Sequence, residues 1–246
     1  MRYRRGMLRL VTSDCLSETF RLAGRPVVLD CSGAMWLPDD GLLVVSDLHF
    51  EKGSHFAAKG ILLPPYDTRA TLDALERLVR LCRPRTILSL GDAFHDVGAE
   101  ARMDEDDARR LEALCEAAEW IWILGNHDPQ PPKRFRGLAT EATVAGGLAF
   151  VHEPGDTDDW QVAGHLHPCA VAAKGGRGVR RPCFVTDGER LIMPAFGAYT
   201  GGLNVLDAAY APHFEEFAVF MLGDSRVFQV PVSSLRPDGK RAAWGV

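Results

Sequence analysis

Carboxylates, imidazoles and one amide gather in five short polar islands: Asp47-Leu48-His49, Gly91-Asp92, Gly125-Asn126-His127-Asp128, His152 and Gly164-His165-Leu166-His167. Carboxylate oxygen, imidazole nitrogen and amide oxygen are the donors that Zn, Mn or Fe dications accept, and no thiol belongs to the set. One such island says little, because a lone histidine after a strand is usually a hydrogen-bonded core or loop residue and Gly-Asp is a common turn. All five in this order point to a dinuclear metal centre. Two dications about 3.5–4 Å apart can share a hydroxide at neutral pH, polarise phosphoryl oxygens and hold nucleophile and leaving group in line. That suits hydrolysis of phosphate esters. A phosphodiester repels an incoming hydroxide through its own charge, so neutralisation by cations supplies much of the transition-state stabilisation.

Each island follows a run that reads as a buried strand: Leu42 to Val45, Thr86 to Leu90, Trp120 to Leu124, Leu148 to Val151 and, most weakly, Gln161 to Ala163. In open α/β sheets, ligand-binding residues sit just beyond the carboxyl ends of strands, so islands far apart in sequence can share one crevice. Helical stretches between the first islands allow parallel strands. One has Asp67 as its expected N-cap, Leu72, Leu75, Leu78, Val79 and Cys82 at helical spacing, and Pro84 as its stop. The next begins near Asp104, with acidic residues at its N-terminus and Ala108, Leu111, Leu114, Cys115 and Ala118 as its apolar stripe. After about residue 140 the chain reads as strands: Thr143 to Val151, Cys183 to Thr186, Arg190 to Met193, Phe217 to Leu222 and Arg226 to Val230. A mixed second sheet is expected there.

The 246 residues allow one large domain, expected to span 1–246, with no Ser/Gly linker to divide it. The formal charge of -5 gives no general attraction to nucleic acid. Cys15, Cys31, Cys82, Cys115, Cys169 and Cys183 are scattered without CxxC pairing and read as reduced core or loop residues. The N-terminal Arg2, Arg4 and Arg5 precede no apolar leader segment, and no run of about 18 apolar residues occurs, so a soluble, cytoplasmic protein is expected.

In this order the islands resemble the calcineurin-like metallophosphoesterase pattern D-x-H, G-D, G-N-H-[DE], H and G-H-x-H, met here as DLH, GD, GNHD, His152 and GHLH. SDLHFEKGSHFA, LLPPYDTRATL, LGDAFHD, GHLHP and PAFGAYTGGLNV are similar to stretches of the bacterial ligase-associated DNA damage response endonucleases. The resemblance implies a two-sheet β-sandwich flanked by helices, in αββα layers. It implies one divalent ion on Asp47, His49, Asp92 and His167 and a second on Asp92, Asn126, His152 and His165, with Asp92 bridging. Mn is the expected metal, with Zn, Fe or Mg as alternatives. His127 is then no ligand but lies by the substrate, paired with Asp92 or Asp128, as general acid to the leaving alkoxide or as a donor to the phosphoryl group. DNA is the implied substrate in an endonuclease of DNA repair, and a DNA ligase, helicase or nuclease the implied partner.

Substrate contacts are less sharply marked. His95 is a candidate for a substrate or supporting role, and Lys52 for a phosphate contact. Arg177 and Arg180, with Lys174 and Arg181, follow the last island, while Lys133, Arg134 and Arg136 follow GNHD; both groups could track backbone phosphates. Tyr199 could stack on a base, although an aromatic flanked by glycine more often packs under a turn. His55 and His213 lack a motif and default to structural or surface roles. Two other functions fit the same residues: hydrolysis of small nucleotides or phosphomonoesters, and a non-catalytic binding scaffold.

Overall fold

The computed structural model describes residues 18–61, 63–155, 160–174 and 177–239. The expected two-sheet sandwich is present. Its first sheet follows chain order: β1 (Glu18–Leu22), β2 (Arg25–Leu29), β3 (Met35–Leu37), β4 (Leu42–Ser46), β5 (Thr86–Leu90), β6 (Glu119–Ile123) and β7 (Leu138–Thr140). The pairs from β1 to β4 are antiparallel, and those from β4 to β7 are parallel. Parallel neighbours need crossover connections. These are α1 (Lys52–Ala58) and α2 (Asp67–Cys82) between β4 and β5, and α3 (Ala99–Arg102) and α4 (Glu105–Ala117) between β5 and β6.

The second sheet takes β8 (Ala142–Ala145), β9 (Leu148–Val151), β10 (Gln161–Ala163), β11 (Pro168–Lys174), β12 (Arg177–Thr186), β13 (Leu191–Ile192) and β14 (Leu203–Asn204) in the order β14-β11-β12-β13-β10-β9-β8. β15 (Ala218–Leu222) adds to β12, β16 (Val227–Val230) to β15 and β17 (Leu235–Arg236) to β11. β9, β10 and β13 are parallel, which aligns their carboxyl ends.

Strand side chains alternate between faces, and this alternation sorts the core into layers. On β5, Leu88 and Leu90 join Phe150, Val162 and Phe184 between the sheets, whereas Ile87 joins Leu72, Leu75 and Leu111 under the helices. Among the described residues the α-helices lie on the first sheet alone. Beyond the second sheet, Val205, Tyr210 and Phe214 cover Cys183, Val185 and Val219. That outer layer includes a short 3-10 helix, Ala208–Tyr210, with the rest in loops.

Local expectations fare unevenly. Asp104 caps α4, accepting from the Asp106 N–H at 2.9 Å. Asp67, expected as the N-cap of α2, is instead its first helical residue after Tyr66, and its carboxylate accepts the Gly53 N–H at 2.8 Å. The single run Thr143 to Val151 is a hairpin, because Gly146 (φ 56°) and Gly147 (φ 78°) supply the two left-handed residues of its tight turn. At the ends of β11 and β12, Lys174 pairs with Arg177. Cys82, Cys115, Cys169 and Cys183 are free, but Cys31 is disulfide-bonded, which corrects the reduced reading there. Cys15, Arg2, Arg4 and Arg5 lie outside the described residues.

Candidate metal centre

The carboxyl ends of β4, β5 and β6 lie along one edge of the first sheet, and those of β9 and β10 along one edge of the second. His152 Nδ1 reaches Leu90 O at 3.0 Å and joins the two edges. The chain turns sharply on leaving these strands. Asp47 (φ 51°), His49 (φ 45°), Asp92 (φ 46°), His165 (φ 66°) and His167 (φ 44°) are all left-handed. Such conformations cost roughly 1–3 kcal/mol per non-glycine residue and persist where the surroundings fix them.

Asp47 is fully buried. Its Oδ2 accepts from the Ser46 hydroxyl and from the His165 N–H at 3.1 Å. Its Oδ1 accepts no hydrogen bond, although His167 Nε2 lies 3.1 Å away and, in turn, 3.4 Å from His49 Nε2. Burial pushes the Asp47 carboxyl up, but His167, His152 and Ser46 together outweigh it and hold the group below its ordinary value. Burial pushes His49 down to about 2, against the pull of Asp47, so its imidazole is neutral.

A second gathering forms around His152. Its Nδ1–H is given to Leu90 O, which turns Nε2 towards the other residues. That nitrogen is 3.0 Å from Asn126 Oδ1, 3.2 Å from His165 Nδ1 and 3.5 Å from Asp92 Oδ2. Asp92 stands between the two gatherings, since Oδ2 is also 3.9 Å from His49 Nε2, while Oδ1 accepts the His127 N–H at 2.9 Å. Asn126 Oδ1 and Asp92 Oδ2, both acceptors, crowd the same ring nitrogen, where a cation would offset their mutual repulsion. The neutral His49, the ionised Asp47 and its orphaned oxygen therefore fit a divalent ion. The structure thus brings all seven expected ligand residues into one crevice.

The remaining expected residues are placed as follows. His127 is 40% exposed, donates Nδ1–H to His95 O at 2.9 Å and sets Nε2 4.0 Å from Asp92 Oδ2. Asp128 is not its partner, because that carboxylate accepts from the Gly125 and Phe94 N–H groups, both at 3.1 Å. Burial, with the charge of Asp92, raises Asp128 to about 7. His95 is buried, meets His49 Nδ1 through its own Nδ1 at 3.3 Å and stacks on His127 at 5.1 Å. It stands behind those residues as a support. Burial and the charge of Lys52 push His95 down to about 4. Arg180 is committed to Asp238 at 2.9 Å and Gly202 O at 2.6 Å, and Arg134 to Glu105 and Glu112. The Arg177 side chain lies outside the described residues. Tyr199 is left-handed (φ 60°) and 43% exposed, so it is not packed under its turn.

Three supports escaped sequence reasoning. Ser46, which anchors Asp47, carried one faint signal as a hydroxyl inside an apolar run. Gly164 has no room for a side chain, since a Cβ there would sit 2.0 Å from Ser46 Oγ and 2.6 Å from Asp47 Oδ2. The loop carrying Tyr199 is sewn to the centre by Phe196 N–H to Ser46 O, Gly197 N–H to Asp47 O and Leu203 N–H to His167 O, at 2.8, 3.2 and 3.1 Å. Such backbone bonds leave no trace in residue types.

A family model described as calcineurin-like phosphoesterase matches residues 42–168, more than half of the chain. Among solved structures, the nuclease MPE of Pseudomonas putida is 27% identical, with a TM-score of 0.70 over 87% of this chain and 100% of that one. The phosphoesterase Yfce of E. coli is 16% identical, with a TM-score of 0.39 over 77% of this chain and 97% of that one, a likeness too distant to carry an argument. No curated protein matches the sequence.

Proposed function

The chain belongs to the calcineurin-like phosphoesterase family, and we propose that this metal-dependent phosphoesterase is a two-metal phosphodiesterase that cuts DNA. The observation that carries the two-metal reading is Asp92, whose Oδ2 faces both His49 Nε2 and His152 Nε2. Asp47, His49, Asp92 and His167 would hold one ion, and Asp92, Asn126, His152 and His165 the other. Divalent ions held there would supply positive charge to the phosphoryl oxygens and acidify a water; Mn is the metal we expect. His127, exposed at the rim with Nδ1–H held by His95 O, turns Nε2 to the site and, when that nitrogen also carries a proton, would give it to the leaving alkoxide. His95 fixes the ring planes of His49 and His127. Lys52 and Tyr199 remain proposed substrate contacts.

The DNA part rests on the likeness to the Pseudomonas nuclease, and a role in repair beside a DNA ligase, helicase or nuclease on the motif resemblance alone. Hydrolysis of small nucleotides is the second reading. It is favoured by the commitment of Arg180 and Arg134 to acidic partners, which leaves the proposed phosphate track thin. No described helix is long and apolar enough to cross a membrane, and the cytoplasm is the proposed location. The test is a matrix of Mn, Zn, Fe and Mg against plasmid DNA, nucleotides and aryl phosphates, beside Asp92→Asn. Nicking of plasmid with Mn that vanishes in the variant is expected. Activity confined to nucleotides and aryl phosphates would replace the DNA reading with the second one, and nicking that survives in Asp92→Asn would reveal a contaminant.

A further inference from the structure

One polar cluster beside the centre has no part in these roles. His55, on α1, directs Nδ1 to Asp96 Oδ2 at 2.6 Å. Arg102 grips that same carboxylate through Nη1 and Nη2, at 3.0 and 2.5 Å, and the Gly98 N–H adds a third donor at 2.7 Å. Arg102 Nε also donates to Ser54 Oγ at 3.1 Å, which ties the clamp back to α1. Arg102 foremost holds the Asp96 carboxyl well below the usual range, so it is an anion at any working pH. An anionic acceptor fixes the Nδ1 proton and leaves Nε2 of His55 without a partner among the described residues.

The His55 ring is 23% exposed and meets His95 edge-on at 4.7 Å, and His95 in turn stacks on His127. Lys52 lies three residues before His55 on α1, hence on the same face. Its half-buried ammonium has no ion-pair partner within 4 Å among the described residues, although the Asp67 charge acts on it, and after burial its own charge is the next largest cause of the lowered His95 pKa. The ammonium is a donor that a phosphate oxygen would accept, and the imidazole, its Nδ1 pinned by the Asp96 carboxylate, would add a second donor when Nε2 also carries a proton.

We infer that Lys52 and His55 form an anion subsite for the phosphate next to the one being cleaved, with Asp96 and Arg102 as positioning residues. This rests on the nucleic-acid reading and narrows the preferred substrate to chains with a second phosphate beside the scissile bond. Thymidylyl-thymidine with a 5′-phosphate, with a 3′-phosphate and with neither tests it, read as ratios of kcat/KM. The wild type should prefer one phosphorylated form, and His55→Gln and Lys52→Met should each lower that preference about 10-fold. Asp96→Asn should lower it through KM. Variants that slow all three dinucleotides in parallel, or a wild type indifferent to the extra phosphate, would overturn the subsite alone. A wild type that hydrolyses bis(p-nitrophenyl) phosphate but no dinucleotide would overturn the nucleic-acid reading, and the subsite with it.

Discussion

Replacing Gly164 by alanine tests whether the first ligand is held by packing as tight as it looks. Gly164 is not left-handed, so the substitution carries no backbone penalty and acts only through space. The new Cβ would sit 2.0 Å from Ser46 Oγ and 2.6 Å from Asp47 Oδ2, against an ordinary contact of 3.4 Å or more. Relief requires the hydroxyl to retreat by about 1.4 Å and the carboxylate oxygen by about 0.8 Å, whereas metal–ligand distances tolerate only about 0.2 Å. Rotating Ser46 away removes one donor from Asp47, and the other, the His165 N–H, belongs to the residue after the substitution. Loss of a supporting hydrogen bond lowers metal affinity by roughly 10–100-fold, and a ligand misplaced by about 1 Å lowers the rate by about 100-fold. Calorimetric titration with Mn and hydrolysis of an aryl phosphodiester would read both quantities. Gly201→Ala is the control, since its Cβ would meet nothing within 4 Å. A Gly164→Ala protein that binds Mn and turns over like the control would refute the reasoning.

Mn added to metal-stripped protein at 100 times its Kd should stabilise the fold by about 2.7 kcal/mol, a rise of roughly 5–11 °C in Tm; an unmoved transition would mean that the facing acceptors hold no cation. His127→Ala should keep Mn affinity within a few-fold while the rate drops by roughly 10²–10⁴, and a matching loss of metal would place His127 among the ligands. Asp128 is raised from 3.8 to about 7 by burial, so the folded metal-free protein holds that proton more tightly than the unfolded chain. Its stabilising contribution is therefore complete below about pH 4 and lost as pH rises towards 7, a difference of about 4 kcal/mol that Asp128→Asn should abolish. Denaturant titrations of both metal-free proteins across that range would check it, and parallel curves would dismiss the shift.

The strands that carry the ligand candidates were legible because each is short and apolar and all but β9, which runs into His152, are stopped within two residues by Gly or Asp. α2 and α4 were legible because Leu72, Leu75 and Leu78, and Leu111 and Leu114, keep one face towards the sheet. Other elements left weaker marks. β3 is three residues long, and α1 contains Gly53 and lasts seven residues, too few for a period to emerge. Asp67 misled as a cap because its carboxylate is used by a tertiary partner, the Gly53 N–H. The gathering of the seven ligand candidates was readable from order alone, but the clamp on His55 was not. Asp96 and Arg102 are ordinary surface residue types, and only the packing of α3 beside α1 turns them into a holder for an imidazole.

The backbone at the centre shows why the islands carry aspartate and histidine where a turn alone would take glycine. Five ligand candidates adopt left-handed φ, a region that glycine enters freely and that other residues enter at a cost. Glycine would ease the turns and remove the donors. Local backbone preference and metal chemistry therefore conflict at Asp47, His49, Asp92, His165 and His167, and such a conflict persists where surroundings over-determine the conformation. Here the surroundings are identifiable: Ser46 and the His165 N–H hold Asp47, the His127 N–H holds Asp92, and the Phe196–Leu203 loop is bonded to the carbonyls of Ser46, Asp47 and His167. Strain held by hydrogen bonds that converge from both sheets cannot relax in one ligand without disturbing its neighbours. The fold's own hydrogen bonds thus set the donors in place, and a cation among them would offset the mutual repulsion of their acceptor oxygens.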